Sequence, residues 1–287
     1  DVGNRVSWAA SRASTYRTRA STRRAHWQSD DFDLVHLHYL NRFTDALLPL
    51  PHPIVMSVHD VVPHVPRLGA PIEHRLLSRL YGRADGLVVH HIDLADALVR
   101  DFGIPSSRIH VVPHQVFPVG NVPINPPKGP PVVLFFGAFR QNKGIEVLAE
   151  AMQHLQGEDL RLVIAGRGDD SLEDTATQLG QSDDRVRVEL GFATLERKRE
   201  LFSDASLVVM PYTAFASQSG VLHDAYGHGR PVVVTDVGAL GDTVREDGTG
   251  MVVGPRDPAA LADAIRASLE PSAWKQRAQS ELRISVE

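Results

Sequence analysis

Two cations lie in a loop that follows an apolar stretch of the chain. The stretch Val132–Phe136 predicts a buried strand that ends at Gly137, and a helix is predicted to begin near Gly144. The loop between them presents Arg140 and Lys143. Two cations beside a glycine suit a diphosphate, which needs its charge neutralised and lets the backbone approach closely. A basic surface loop is the alternative, and the spacing alone leaves both interpretations open.

A second loop precedes a helix whose first turn can bind an anion. The apolar run that ends at Pro211 predicts a strand, and a helix is predicted to start at about Ser219. The N–H groups of Ser219, Gly220 and Val221 would then point at an anion, and the helix dipole would add to the attraction. Asp224 lies about 7.5 Å further along the helix axis, within reach of a ribose hydroxyl. A solvated carboxylate, or one that compensates the helix dipole, is the alternative.

Histidines follow two of the predicted strands in the first half of the chain. His36 and His38 are predicted to face the same side of one strand, and His59-Asp60 ends another. These side chains allow a metal-dependent hydrolase site, although no second group of carboxylates follows a strand end. His90-His91 opens a predicted helix and is interpreted as structural.

Strand and helix patterns alternate from Asp31 onward. Short apolar runs separated by helices of about ten residues favour parallel sheets with right-handed crossovers. The predicted strands are Leu34–Leu37, Ile54–Val58, Gly86–Val89, Ile109–Val112, Val132–Phe136, Leu160–Ala165, Arg185–Val188, Leu207–Met210, Pro231–Thr235 and Gly250–Val253. The predicted helices include Ile72–Tyr81, Leu94–Phe102, Ile145–Leu155, Leu195–Phe202, Val221–Gly227 and Ala259–Leu269.

A proline-rich segment interrupts this alternation. Residues 118–131 contain six prolines in fourteen positions, a composition that favours extended geometry and cannot pair centrally in a sheet. We therefore expect an N-terminal domain at 1–117, a linker at 118–131 and a C-terminal domain at 132–287. Each half is predicted to be an α/β, doubly wound domain, and the two would face a central cleft at the carboxyl ends of their strands, where open α/β sheets bind ligands.

Composition excludes several classes of protein. The 287 residues are 43% hydrophobic and 23% charged, carry a net charge of −5 and contain no cysteine. These values exclude a disordered chain, a disulfide scaffold, a thiolate catalyst and a polycation that binds nucleic acid. No apolar stretch approaches the roughly 20 residues that a bilayer span needs, which predicts a soluble protein. We also expect this protein to be cytoplasmic.

The first 30 residues are basic and contain no clear strand, so we expect the first strand of the N-terminal domain to be missing. Trp8, Tyr16 and Trp27 are interleaved with arginines. A basic helix in peripheral contact with anionic lipid at the inner membrane face is one interpretation, and a solvated helix is the other. The arginines are Arg5, Arg12, Arg17, Arg19, Arg23 and Arg24.

The ordered set of motifs resembles the GT-B glycosyltransferases, specifically the large retaining family numbered 4. The G-x-x-R-x-x-K-G sequence at 137–144 is similar to the phosphate-binding loop of that family. The stretch Gln218–Thr235, QSGVLHDAYGHGRPVVVT, resembles its nucleotide-binding helix and the G-x-P-V-V strand that follows. In the first half, Asp33–His38 and Ser57–Asp60 resemble strand ends of the acceptor domain. The resemblance covers nearly the whole chain.

This resemblance implies a function and roles for individual residues. A nucleotide-diphosphate sugar would be the donor, without a cofactor or a catalytic metal, and a glycan, lipid-linked or small-molecule hydroxyl would be the acceptor. Arg140 and Lys143 would hold the diphosphate and stabilise charge on the leaving phosphate. His59 would lie near the transferred sugar. Donor-binding residues would be Gly137, Arg140, Lys143, Gln218, Ser219, Gly220, Val221 and Asp224.

The chain departs from the family pattern at one carboxylate. The family commonly has two glutamates eight positions apart on the second loop and helix, whereas this chain has Ala216 and Asp224. We also expect the family pattern to be shortened at both ends of this chain. These departures motivate a second hypothesis, a catalytically impaired GT-B-like protein that binds a nucleotide or sugar.

Overall fold

The computed structural model describes residues 18, 20–22, 25, 32–41, 45–46, 49–62, 69–113, 116, 119, 129–214 and 219–284. The chain divides into two compact units between Pro113 and His114. Unit 1 precedes this division and unit 2 follows it. Of the predicted linker 118–131, only residues 119 and 129–131 are described.

Unit 1 contains a parallel four-stranded sheet whose strands lie in sequence order. In the part of unit 1 described from residue 32 onward, the strands are β1 (Val35–Leu37), β2 (Ile54–Ser57), β3 (Gly86–Val89) and β4 (Ile109–Val111). The helices of this part are α1 (Ala70–Gly82) and α2 (Ile92–Phe102), with a 3-10 turn at Ser106–Arg108.

Leucines of the two helices form the core of unit 1 with one face of the sheet. Leu80 of α1 and Leu98 of α2 are fully buried, and they belong to one cluster with Ile54, Met56 and Leu87. Val35 and Leu37 of β1 pack against the same cluster, and His36 lies between them in the sequence. The pleat of β1 therefore places the imidazole of His36 on the face of the strand opposite the core.

Unit 2 contains a parallel six-stranded sheet with its helices on both faces. Its strands are β5 (Val132–Phe139), β6 (Arg161–Gly168), β7 (Val186–Leu190), β8 (Leu207–Met210), β9 (Val232–Thr235) and β10 (Gly250–Val253). Its helices are α3 (Ile145–His154), α4 (Asp170–Ser182), α5 (Leu195–Asp204), α6 (Gly220–Gly227), α7 (Ala239–Asp247), α8 (Pro258–Leu269) and α9 (Pro271–Ile284), and a 3-10 turn spans Gln141–Lys143.

The strand order of unit 2 reverses at its centre. The order is β10-β9-β8-β5-β6-β7, and all of the pairings are parallel. The chain therefore builds outward in one direction from β5 and in the other direction from β8. The carboxyl ends of these two adjacent strands form a topological switch point, where α/β sheets bind their ligands.

Alternation along β5 supplies both hydrophobic cores of unit 2. Val133 packs into one cluster with Leu148 of α3 and Leu261 of α8. Leu134, the next residue, packs into the other cluster with Leu222 of α6. Because the two neighbouring side chains point to opposite faces, the sheet is covered on both sides.

The strand after which the first cationic loop begins is longer than predicted. β5 continues to Phe139, so the prediction that it ends at Gly137 is wrong. Its pairing with β6 runs on through Gly137 opposite Gly166, and a Cβ on Gly166 would overlap the carbonyl oxygen of Gly137. Glycine at this position lets the two backbones stay paired to the end of the strands.

Most other predicted elements are confirmed to within a few residues. The bounds of β3, β8 and β10 agree with the prediction because each is a continuous apolar run. The apolar pattern gives no clear indication of α4, since only Leu172 and Ala176 of that helix are buried.

Candidate functional site

The loops that follow β5 and β8 are joined by hydrogen bonds at the switch point of unit 2. The side-chain amide of Asn142 donates to the carbonyl of Ala214 over 2.9 Å. The backbone N–H of Thr213 donates to the carbonyl of Asn142 over 3.0 Å. The two motifs identified in the sequence are thus brought together in one place.

Lys143 is held against an aromatic ring of the second loop. Its Nζ lies 3.5 Å from the centroid of the Tyr212 ring, a cation–π contact. Tyr212 is only 1% exposed, and this burial raises the pKa of its hydroxyl to about 12. The hydroxyl shares a 3.3 Å hydrogen bond with the hydroxyl of Ser219. A neutral, buried ring therefore fixes the ammonium group beside the start of α6.

Gly144 lets the first loop approach the second. It has a φ of 70°, in the left-handed region that favours glycine. A Cβ at this position would overlap the carbonyl oxygen of Pro211, which follows β8. The 3-10 turn can therefore lead directly into α3 while its backbone stays against the end of β8.

Arg140 directly precedes the 3-10 turn as its N-cap residue and is exposed. Its carbonyl accepts a hydrogen bond from the N–H of Lys143 over 2.8 Å. Among the residues that the structure describes, its guanidinium forms no hydrogen bond or ion pair. The group is thus available to an anion at the same end of the sheet as Lys143.

The first turn of α6 faces this loop without a side-chain cap. Ser219 is the N-cap residue and is buried, but its hydroxyl bonds to Tyr212 and makes no capping hydrogen bond. Among the described residues outside its own helix, nothing lies within 4 Å of a Cβ built on Gly220, and a Cβ on Gly137 would touch the Val221 side chain at 3.5 Å. Within the part of the chain that the structure describes, the amides of Gly220 and Val221 therefore have no capping side chain, and they lie next to the cationic loop. Gln218 lies outside the described residues.

Asp224 forms an ion pair that the sequence did not indicate. Its Oδ1 lies 2.6 Å from the Nζ of Lys198 on α5, and both side chains are partly exposed. Its second carboxylate oxygen is not part of this ion pair. The structure therefore places a partly exposed, oriented carboxylate near the end of the helix whose start could bind phosphate.

Comparison with known proteins identifies the family. Residues 130–270 match the family described as Glycosyl transferases group 1, and residues 3–116 match Glycosyltransferase Family 4. A D-inositol 3-phosphate glycosyltransferase of Xylanimonas cellulosilytica is 30% identical to this chain, and the match covers 88% of the chain and 67% of that protein. The chain belongs to the group 1, family 4 glycosyltransferases.

Other relatives of this glycosyltransferase agree with that assignment. An inositol-phosphate glycosyltransferase of Catenulispora acidiphila is 30% identical, with 85% of this chain and 65% of that protein covered. An uncharacterized glycosyltransferase of Methanocaldococcus jannaschii is 37% identical over 46% of this chain and 34% of that protein. The chain thus spans between about a third and two thirds of the lengths of these three relatives.

Solved structures support the GT-B fold of this glycosyltransferase. Sucrose-phosphate synthase from Thermosynechococcus elongatus has a TM-score of 0.75 at 22% identity, covering 95% of this chain and 74% of that one. Anabaena HepE in complex with UDP has a TM-score of 0.67 at 17% identity, and the match covers 96% of this chain and 79% of that one. The prediction of a GT-B, α/β fold is confirmed.

In this glycosyltransferase His59 lies in unit 1, apart in the sequence from the other predicted site residues. Its Nε2–H donates to the carbonyl of His38 over 3.0 Å. Burial and the nearby His90 lower the pKa of His59 below its ordinary value. The imidazole is therefore neutral near pH 7. Its proposed place near the transferred sugar stays a prediction.

The histidines do not form a metal site in the part of the chain that the structure describes. The His36 and His38 rings lie with their centroids 4.1 Å apart, as the strand alternation predicts. No group of three or more histidine, aspartate or glutamate side chains among the described residues is arranged to hold a metal ion. His91 accepts a hydrogen bond from the N–H of Asp93 and caps α2, which confirms its structural role.

The sequence prediction missed an exposed aromatic residue beside a small cavity. A cavity of about 190 Å³ lies at the ends of β6 and β7, lined among others by Gly166 and Phe192. Phe192 is 86% exposed, and the guanidinium carbon of Arg167 lies 5.2 Å from the centroid of its ring. A glycine near the end of each of these two strands could have indicated the cavity from the sequence. The predicted strands ended before these glycines, so the sequence analysis did not connect them.

Two further expectations concern the membrane. In the described part of the chain, no helix has the length and apolar character that crossing a bilayer requires. The predicted lipid contact rests on arginines in residues 1–30, and all six lie outside the described residues. That contact stays a prediction.

Proposed function

We propose that this glycosyltransferase moves a sugar, with retention of configuration, from a nucleoside-diphosphate sugar to an acceptor hydroxyl, without a catalytic metal. The observation that carries the proposal is the position of Lys143, held on Tyr212 beside the uncapped start of α6. Anabaena HepE, a structural neighbour, is known in complex with UDP and with UDP-glucose. A similar donor in unit 2 of this chain fits the switch-point geometry.

The residues at the switch point would stabilise the leaving group. The bond between the anomeric carbon and the diphosphate oxygen breaks as the bond to the acceptor oxygen forms on the same face of the sugar. The acceptor proton passes to an oxygen of the leaving phosphate, so the charges balance. Arg140 and Lys143 would neutralise the developing diphosphate charge, and the amides of Gly220 and Val221 would bind it through hydrogen bonds.

The rest of the nucleotide would extend along the carboxyl edge of the sheet. Asp224 would accept a hydrogen bond from a ribose hydroxyl through the carboxylate oxygen that is not paired with Lys198. The base would enter the cavity beside Phe192, whose exposed ring offers a stacking surface. Gly137 would allow the diphosphate to approach the backbone, and Gln218 would contribute from the second loop.

A second candidate function is nucleotide or sugar binding without transfer. It is favoured by Ala216, where the family commonly has a carboxylate. The two candidates differ in donor consumption, since a binding protein would leave a nucleotide sugar intact. Release of nucleoside diphosphate from the donor therefore distinguishes them.

A panel of nucleotides tests the donor site directly. UDP, GDP, ADP and TDP are added separately, and the unfolding midpoint is measured. A ligand at about 100 times its dissociation constant stabilises the folded state by roughly 2.7 kcal/mol, which should raise the midpoint of unit 2 by several degrees. We expect one nucleotide to give this shift and Lys143→Ala to abolish it.

The matched control for this panel is Lys275→Ala. Lys275 is an exposed lysine on α9, so its removal changes the net charge equally without touching the switch point. A shift lost in both variants would indicate a non-specific charge effect and contradict the proposed site. The absence of a shift with all four nucleotides would contradict the donor proposal itself.

Lys198 is expected to act on the nucleotide through Asp224. Because their ion pair orients the carboxylate, Lys198→Ala should weaken nucleotide binding severalfold. The double variant Lys198→Ala/Asp224→Asn should lose clearly less nucleotide affinity than the product of the two single fold-losses. The reason is that substitutions of interacting residues do not have additive effects on the binding free energy. Calorimetric titration of the four proteins measures this coupling.

The neighbouring Arg199 provides the control for that cycle. It is an exposed cation on the same helix, and Arg199→Ala should leave nucleotide affinity unchanged. Additive effects of Lys198→Ala and Asp224→Asn would show that the ion pair does not position the carboxylate for the nucleotide.

A further inference from the structure

The hydroxyl of Thr235 joins the end of β9 to the loop that follows β8. Thr235 is 1% exposed, and its Oγ1–H donates a 2.5 Å hydrogen bond to the carbonyl of Tyr212. The same hydroxyl lies 3.5 Å from the carbonyl oxygen of Met210. The parallel pairing of β8 with β9 runs as far as Met210, which lies opposite Val234. A side chain therefore continues the link between these two segments past the end of their backbone pairing.

Its hydroxyl distinguishes Thr235 from the rest of β9. The three residues before it, Val232, Val233 and Val234, are buried valines. Valine and threonine have the same branched shape, and both suit a strand. A fourth valine would therefore satisfy the strand, but it would supply no hydrogen-bond donor. What threonine adds at this position is the hydrogen bond to Tyr212.

Tyr212 extends this link to the cationic loop. The Nζ of Lys143 lies 3.5 Å from the centroid of the Tyr212 ring, and the Tyr212 hydroxyl shares a hydrogen bond with Ser219. The N–H of the next residue, Thr213, donates to the carbonyl of Asn142. A displacement of the Tyr212 backbone would therefore move both the ring that holds the ammonium group and the contact between the two loops.

We propose that Thr235 is a positioning residue for sugar transfer: through Tyr212, its hydroxyl fixes the ammonium group of Lys143 where the leaving diphosphate develops its charge. This inference rests on the donor site proposed above. Thr235 acts through the backbone of Tyr212 and does not itself bind the diphosphate. A cation stabilises a developing charge best when it is already in place, because it then needs no reorganisation during the reaction.

Thr235→Val in the full chain removes the hydroxyl and keeps the shape of the side chain. We expect kcat for sugar transfer to fall about tenfold, between the effect of one lost hydrogen bond and the roughly hundredfold effect of a misplacement of about 1 Å. Inorganic pyrophosphate probes the cationic loop without a base or a sugar, and its affinity in calorimetric titration should fall about two- to tenfold. Thr235→Ser keeps the hydroxyl and should retain both activity and affinity.

Lys143→Met tests whether the effect of Thr235 passes through the ammonium group. Once that group is absent, Thr235→Val should lower kcat by no more than about twofold further. A general loss of structure at the switch point would instead lower kcat equally with and without the Lys143 cation. Thr235→Ala removes the same hydroxyl with less bulk, and it replaces Thr235→Val if the added methyl group prevents folding.

Thr243→Val is the matched control. The hydroxyl of Thr243 on α7 is partly buried and donates to the carbonyl of Ala239 over 2.7 Å. The same kind of hydrogen bond is therefore lost at a site that does not involve Tyr212. This control should retain both sugar transfer and pyrophosphate binding.

Three results would overturn the positioning role of Thr235. They are full activity in Thr235→Val, lost activity in Thr235→Ser, and an undiminished effect of Thr235→Val in the Lys143→Met background. If Lys143→Met lowers activity and Thr235→Val does not, the positioning role alone fails. If the unaltered protein neither binds pyrophosphate nor consumes a nucleotide sugar, the donor proposal fails, and the positioning role fails with it.

Discussion

Replacing Lys143 with alanine is expected to lower kcat for sugar transfer by about 100- to 1,000-fold, the usual cost of removing one preorganised donor at a developing negative charge. The ammonium group is fixed 3.5 Å from the centroid of the Tyr212 ring. It therefore needs no reorganisation when the diphosphate leaves. Release of nucleoside diphosphate is measured with the nucleotide sugar whose nucleotide stabilises the protein.

Lys143→Met separates the contribution of the Lys143 charge to activity from the contribution of its side-chain packing. Methionine keeps an apolar chain that can cover the Tyr212 ring but supplies no cation, so it should lose as much activity as alanine. The control Lys275→Ala should retain full activity. Unchanged turnover in Lys143→Ala would refute the proposed role of Lys143. Nucleotide binding without donor consumption in the unaltered protein would favour the binding-protein alternative.

Gly144→Ala is expected to destabilise unit 2 by about 2–4 kcal/mol, through left-handed strain and a backbone clash. The φ of 70° disfavours any side chain, and the new Cβ would overlap the carbonyl oxygen of Pro211. Relief of this overlap must move the first loop away from the end of β8. The variant should therefore also lose nucleotide binding. Denaturant unfolding and the nucleotide panel measure the two effects.

Gly157→Ala separates the effect of left-handed backbone strain from the effect of a Cβ that overlaps a neighbouring backbone atom. Gly157 has a φ of 83°, but nothing lies within 4 Å of a Cβ built there. It should cost about 1 kcal/mol and leave nucleotide binding intact. Equal destabilisation in both variants would show that the approach of Gly144 to Pro211 is not required for the fold.

The sequence predicted which strands and helices unit 2 contains more accurately than it predicted where those elements end. Short continuous apolar runs predict strands directly, which is why the buried strand Leu207–Met210 and the half-buried edge strand Gly250–Val253 agree with the prediction. The predicted end of β5 was wrong because Gly137 interrupts the apolar pattern, although the pairing of β5 with β6 continues through this glycine. The residues of one strand do not by themselves show how far the neighbouring strand pairs with it.

The sequence also placed the two candidate phosphate-binding motifs on two strand–loop–helix units, β5 with α3 and β8 with α6, and with them the family resemblance. A cationic loop and an uncapped helix start depend on residues close together in the chain. Local spacing was therefore enough to indicate both of them. The uncapped start of α6 at Gly220, next to Ser219, agrees with that prediction.

The tertiary structure decided which distant groups meet. It set Lys143 on Tyr212, Asp224 beside Lys198, and Tyr39 against His59. Local periodicity cannot encode these contacts, because each one joins side chains from different strand–loop–helix units. The order β8-β5 makes neighbours of strands far apart in the chain, and that order follows from how whole elements pack over both faces of the sheet.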